Sequence, residues 1–222
     1  MAIRPLLLGH RGARAEKSIP ENTLASFDLA IAQGCDGFEF DVRISADGHA
    51  VICHDPAIGG LNIAESAAQS LRLASLSEVL ARYRSTAFLD IELKVSGIEA
   101  LATDLVRKYI PLRGFVVSSF LPEVIQRLHA RDAAIPLGLI CETRAELSRW
   151  RELPVEYVIP HFALVRQDLV ADLRAAGKKI LVWTVNLPAD MERFSQWGVD
   201  GIISDNPKLL ADTFRSRKKF PG

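Results

Sequence analysis

The chain has 222 residues, 49% of them hydrophobic, and its 27 basic side chains balance its 27 acidic ones. That length fits one domain with a large core, and zero net charge excludes a general attraction to DNA, RNA or an anionic membrane. Three cysteines without CxxC or Cys/His spacing read as buried thiols in a reducing compartment, not as disulfides or a zinc site.

The opening MAIRPLLL is too short an apolar run for a secretion signal, and no later stretch could span a bilayer. The expected location is therefore the cytoplasm. Strands are expected near 5–9, 36–42, 87–93, 114–118, 136–140, 155–159, 180–185 and 201–204. Helices are expected near 22–33, 76–83, 98–109, 122–131, 143–150, 167–176, 188–196 and 207–214. Eight β-then-α units make a (β/α)8 TIM barrel, one domain over residues 1–214. Residues 215–222, with their basic cluster, read as a loose tail.

One strand breaks the alternation. Val51–His54 follows the second strand too closely for a crossover helix, and Asp47-Gly48 signals a hairpin. A turn centred there makes residues whose numbers sum to 95 face each other, setting Asp41 opposite His54. The β-arm would then deliver a histidine to the barrel mouth, although a one-residue slip would turn it away.

The chemistry clusters where strands end. Glu39 and Asp41 share one strand face while Phe38, Phe40 and Val42 take the other. Solvated decoration is the ordinary reading of strand acids, but a barrel strand is buried on both faces. Inward acids then need a counter-charge, most simply a cation. Asp90, Glu92 and Lys94 repeat the pattern, and all-oxygen ligands suit Mg²⁺ or Ca²⁺. His10-Arg11 ends the first strand. Arginine suits phosphate oxygens, histidine titrates near neutrality, and Gly12 lets the chain turn. Asn22 or Thr23 is placed to cap the next helix, and Glu21 to orient His10. Ser118-Ser119-Phe120, His161 and Trp183-Thr184-Val185-Asn186 also lie at strand ends. Trp183 offers an apolar wall for a small substrate.

These residues, in this order, resemble the glycerophosphodiester phosphodiesterase family of PLC-like phosphodiesterase barrels. The likeness runs from His10-Arg11-Gly12 through Pro20-Glu21-Asn22-Thr23, Glu39-Phe40-Asp41-Val42, His54-Asp55 and Glu92-Leu93-Lys94. It continues more weakly to Asp200-Gly201-Ile202-Ile203-Ser204-Asp205. The resemblance implies metal-dependent hydrolysis of glycerophosphodiesters to glycerol 3-phosphate and an alcohol. It implies that Glu39, Asp41 and Glu92 hold one divalent ion, that His10 and His54 are the general acid and base, and that Arg11 and Lys94 lie near the phosphate. The partner is then a small phosphodiester, with no nucleic acid and no membrane insertion. Two departures stand out: a longer loop over Arg14–Ile19 and a short stretch between Asp55 and Glu92. They leave the identity of the leaving alcohol open. Rival readings are a metal-independent phospholipase-type lyase, a Schiff-base lyase using Lys94, and a non-catalytic phosphodiester-binding protein.

Overall fold

The computed structural model describes residues 4–215. The elements in chain order are β1 (Leu6–Gly9), α1 (Leu24–Ala32), β2 (Gly37–Ile44), β3 (Ala50–Ile52), β4 (Ala57–Ile58), β5 (Leu61–Asn62), α2 (Ala68–Leu71), α3 (Leu76–Tyr83) and β6 (Phe88–Leu93). They continue with α4 (Glu99–Lys108), β7 (Phe115–Ser119), α5 (Pro122–Arg131), β8 (Leu137–Cys141), α6 (Arg144–Ser148), β9 (Tyr157–Pro160), α7 (Gln167–Ala175), β10 (Lys179–Val182), α8 (Pro188–Trp197), β11 (Gly201–Ser204) and α9 (Pro207–Arg215).

Eight parallel strands close in the order β1-β11-β10-β9-β8-β7-β6-β2, and β2 returns to β1. The expected TIM barrel is therefore present. Local chemistry sets its helices. Thr23 caps α1 by accepting the Ser26 N–H, Ser75–Glu78 and Thr143–Glu146 form capping boxes, and proline opens α5 and α8. Arg215 ends α9 and donates to the Gln33 carbonyl, so it belongs to the barrel; the rest of the expected tail lies outside the described residues.

The barrel strands are buried on both faces for most of their length. Outward side chains such as Phe38, Phe40 and Leu89 form the layer under the helices, and inward ones such as Leu8, Val116, Ile159 and Leu181 fill the barrel. Phe27 of α1 stacks on Phe38 at 4.2 Å between ring centroids, and Tyr83 meets Phe38 edge-on at 4.9 Å. Where β2 starts, a Cβ on Gly37 would lie 1.8 Å from the Phe88 carbonyl oxygen. Only glycine lets β2 and β6 approach this closely.

The arm forms, but its register differs by one residue from the expected one. Val42 pairs with Ile52 and Ile44 with Ala50, so paired numbers sum to 94. The turn is a three-residue loop over 46–48. Gly48 N–H donates to the Ser45 carbonyl, Ser45 N–H donates to that of His49, and Gly48 takes a left-handed φ of +80°. Cys53, not His54, therefore faces Asp41, and its N–H donates to the Asp41 carbonyl at 3.0 Å. The ladder stops at Ile52, which frees His54 to turn back. The segment 56–75 also carries more order than its sequence suggests: the small β4–β5 hairpin, a 3-10 turn at Ile63–Glu65 and the single turn α2.

Phe27 is fully buried beneath β2 and touches three aromatic rings. Phe27→Ala is expected to lower unfolding free energy by about 3–5 kcal/mol, read as a fall in the urea midpoint. A shift below about 1 kcal/mol would show that this layer does not anchor β2.

Candidate active site

Four acids form the floor of a cavity at the C-terminal mouth of the barrel. The β2–β6 register sets Glu39 beside Asp90 and Asp41 beside Glu92. Strand alternation points all four inward. Like charges opposite one another on a ladder repel, so compensation must be built in. Lys94 Nζ lies 2.6 Å from Glu92 Oε1 and 3.4 Å from Asp41 Oδ1. Arg11 Nε lies 3.3 Å from Asp41 Oδ2, and the Arg11 backbone N–H donates to Glu39 Oε2 at 2.9 Å. Asn22 Nδ2 donates to Asp41 Oδ2 at 2.8 Å while its Oδ1 accepts the Asp41 N–H at 3.2 Å. The Ser118 hydroxyl donates to Asp90 Oδ1 at 2.6 Å. Glu39 Oε1 and Asp90 Oδ2 remain buried without a hydrogen-bond partner.

The acid strengths report this imbalance. Burial, with repulsion from Asp41 and Glu92, holds Glu39 well above the usual carboxylate range. Burial pushes Asp90 up to about 7 despite the Ser118 hydrogen bond. Burial and the Asp41 charge push Glu92 up to about 8 despite Lys94. Asp41 goes the other way: burial opposes its charge, but Lys94, Arg11 and Asn22 outweigh burial. Four carboxylates thus face two cations. Glu39, Asp41 and Glu92 each present a ligand atom within 4.8 Å of the others. A buried all-oxygen trio with an orphaned Glu39 oxygen fits one hard divalent cation.

Two histidines flank the acids, each held by its own aspartate. His10 Nδ1 is 2.7 Å from Asp205 Oδ1, and its Nε2 is 3.8 Å from Glu39 Oε2. Burial lowers the His10 pKa, and the Arg11 charge adds to this, against the raising effect of Asp205. Asp205 is itself fixed by Asn186 Nδ2 at 2.7 Å. The hydrogen bonds to His10 and Asn186 and the charges of His10 and Arg14 overcome burial and keep Asp205 below its ordinary pKa. His54 sits on the more open side, with Nδ1 2.7 Å from Asp55 Oδ1 and its carbonyl held by Arg43 Nε at 2.8 Å. The cavity has a volume of ≈ 420 Å³. Glu39, Asp90, Glu92, His10, Arg11, His54 and Lys94 line its polar side, with Asp41 just behind them; Phe120, Ile140, Ile159, Trp183 and Ile203 line the other.

The family model described as the glycerophosphoryl diester phosphodiesterase family matches residues 10–103 and 106–209. The chain belongs to this family. A glycerophosphodiester phosphodiesterase of Caldanaerobacter subterraneus is 28% identical, the match covering 96% of this chain and 99% of that one. A phosphodiesterase of Oleispira antarctica, solved with its product sn-glycerol-3-phosphate, superimposes with a TM-score of 0.84 at 26% identity, covering 96% of this chain and 97% of that one. A Silicibacter pomeroyi structure shares the fold with a TM-score of 0.87 at 22% identity, covering 97% of this chain and 94% of that one.

As a glycerophosphoryl diester phosphodiesterase family member, the chain is an enzyme, a phosphoric diester hydrolase. All eight site residues named from the sequence line or border one cavity. Glu21 does not orient His10; it binds Arg11 Nη1 at 2.7 Å and Arg14 Nε at 2.8 Å. Asp205 takes that place; in the sequence it shows as the strand-end acid that closes the weaker Asp200–Asp205 part of the family likeness, with nothing to tie it to His10. Thr23, not Asn22, is the helix cap, which frees Asn22 for Asp41. His161 packs its ring against Trp183 at 5.4 Å and accepts the Ala163 N–H. No described helix is long and apolar enough to cross a membrane.

Raised carboxylate pKa values carry a sign. Protonated Asp90 and Glu92 stabilise the metal-free fold fully below their ordinary pKa, and that contribution is lost as pH rises through about 7 and 8. A cation held by Glu39, Asp41 and Glu92 must displace the proton on Glu92. Mg²⁺ or Ca²⁺ is therefore expected to raise the melting temperature more at about pH 8.5 than at about pH 5.5. Differential scanning fluorimetry measures this, and an equal shift at both pH values would contradict the assignment.

Proposed function

We propose that this protein hydrolyses glycerophosphodiesters to glycerol 3-phosphate and an alcohol, using one Mg²⁺ or Ca²⁺ held by Glu39, Asp41 and Glu92. One observation carries the reading: a compact buried acid trio lies between two histidine–aspartate pairs in a single cavity. The bound ion would supply charge withdrawal from the phosphate oxygens. Arg11 and Lys94 border the acids and bring two fixed positive charges to an anionic diester. Hydrogen bonding of His10 Nδ1–H to Asp205 leaves Nε2 as an acceptor, and burial favours the neutral ring. His10 then takes the proton of the attacking hydroxyl, from water or from the glycerol 2-position. His54, on the exposed side, gives a proton to the departing alcohol oxygen. Trp183, fixed by its Nε1–H to the Ile159 carbonyl, forms the apolar wall.

The Schiff-base alternative needs a neutral Lys94. Burial opposes its charge, but Glu92 and Asp41 outweigh burial and hold its pKa above the ordinary value. We place the enzyme in the cytoplasm, since all three cysteines are free and buried.

His10→Ala and His54→Ala are each expected to cut kcat by about 10²–10⁴-fold with unchanged circular dichroism. Turnover within threefold of wild type in either variant would remove that histidine from the reaction. Incubation with EDTA is expected to abolish release of glycerol 3-phosphate from glycerophosphoglycerol, and excess Mg²⁺ or Ca²⁺ to restore it. Full turnover in the chelated enzyme would instead favour a metal-independent lyase, which releases a cyclic phosphate.

A further inference from the structure

His10 and Arg11 are each held by an acid from another part of the chain, and one side chain joins the two acids. Asp205, after β11, lies 2.7 Å from His10 Nδ1, and Glu21, before α1, accepts from Arg11 Nη1 at 2.7 Å. Arg14 reaches both acids. Its Nε donates to Glu21 Oε2 at 2.8 Å, and its Nη1 donates to Asp205 Oδ1 at 3.3 Å, the same oxygen that faces His10. Because His10 and Arg11 are neighbours in sequence, the five side chains close a ring beside the seam between β1 and β11. Arg14 itself lies outside the lining of the catalytic cavity.

The backbone holds Arg14 in place for this contact. Gly12 takes a left-handed φ of +83° and turns the chain away from β1. Ala13 N–H then donates to Ser26 Oγ at 2.8 Å, and Ala15 N–H donates to the Asp205 carbonyl at 2.8 Å. The residues on either side of Arg14 are thus tied to α1 and to the segment after β11. A guanidinium suits the position because its fork presents separate N–H groups to two carboxylates, whereas lysine brings one compact charge. We propose that Arg14 is a positioning residue with two arms, steadying His10 through Asp205 and Arg11 through Glu21. The inference rests on the roles given above to His10 in proton transfer and to Arg11 beside the phosphate. Arg14 and Glu21 are 39% and 37% exposed, so each arm is worth a modest factor rather than an all-or-none effect.

Two double-mutant cycles on glycerophosphoglycerol hydrolysis test the arms separately. Arg14→Ala is expected to lower kcat by about three- to fivefold through the His10 arm and to raise KM by about the same factor through the Arg11 arm. Added to Asp205→Asn, Arg14→Ala should leave kcat where it stands; added to Glu21→Gln, it should leave KM where it stands. Arg14→Lys should restore at most one of the two constants. Additive losses in either background would overturn the proposal, as would unchanged constants in a variant that only melts lower, or full recovery of both constants by lysine. His10→Ala, assayed alongside, separates this inference from the reading beneath it. If that variant keeps wild-type turnover, or if wild type hydrolyses nothing, the proposed function fails by itself and two direct readouts decide the arms. The His10 Nδ1–H proton resonance should broaden in Arg14→Ala through faster exchange with water, and calorimetric titration with glycerol 3-phosphate and Mg²⁺ should show weaker binding. An unchanged resonance or unchanged binding refutes the corresponding arm, and with it the two-armed role.

Discussion

The β2–β6 ladder places four carboxylates in a two-by-two grid, with Glu39 against Asp90 and Asp41 against Glu92. Most of the site follows from the need to offset that repulsion. Arg11 and Lys94 are drawn in, Asn22 grips Asp41 from two sides, and Ser118 serves Asp90. The compensation stops short, and Glu39 keeps an oxygen with nothing to bind. A barrel built only for stability would have apolar residues here, because burying unpaired charge is costly. The grid has the charge and the buried oxygen atoms that a divalent cation would complete.

The rest of the cavity is divided by strand. Lining residues on or just after β1, β2, β3 and β6 are charged or titratable, and those on or just after β7 to β11 are, Glu142 apart, aromatic or aliphatic. The acids lie within strands, where paired neighbours fix their backbone. Phe120 and Trp183 lie just beyond strand ends, on connections that tolerate change. Charged and apolar lining are thus carried on different parts of the same scaffold, at the strand C-terminal face where barrel enzymes place their sites.

The sequence shows the barrel and the acids for the same reason. Period-two alternation of acid and apolar residues over 38–42 and 90–94 is a local signal, and the structure preserves it unchanged. The hairpin register was less legible, since Asp47-Gly48 serves a two-residue turn or the last positions of a three-residue loop. Ser45 selects the second: its hydroxyl binds Asp47 Oδ1 at 2.6 Å and accepts the His49 N–H. Asn22 was hidden because it adopts a left-handed φ of +57°, a conformation that its neighbours in sequence do not announce. Asp205 was hidden because its partner lies 195 residues away. Residues 56–75 have no periodicity, and their small elements depend on contacts such as Ala46 N–H to the Ser66 carbonyl.

That 195-residue separation has a bearing on biogenesis. His10 stands just after the first strand and Asp205 just after the last, and β1 meets β11 along the seam where the barrel shuts. During synthesis the imidazole emerges almost a whole chain-length before its aspartate. Any chain that stops before Asp205 lacks the carboxylate that His10 Nδ1 binds. Formation of the His10–Asp205 pair is thereby delayed until the strand that closes the barrel has been made.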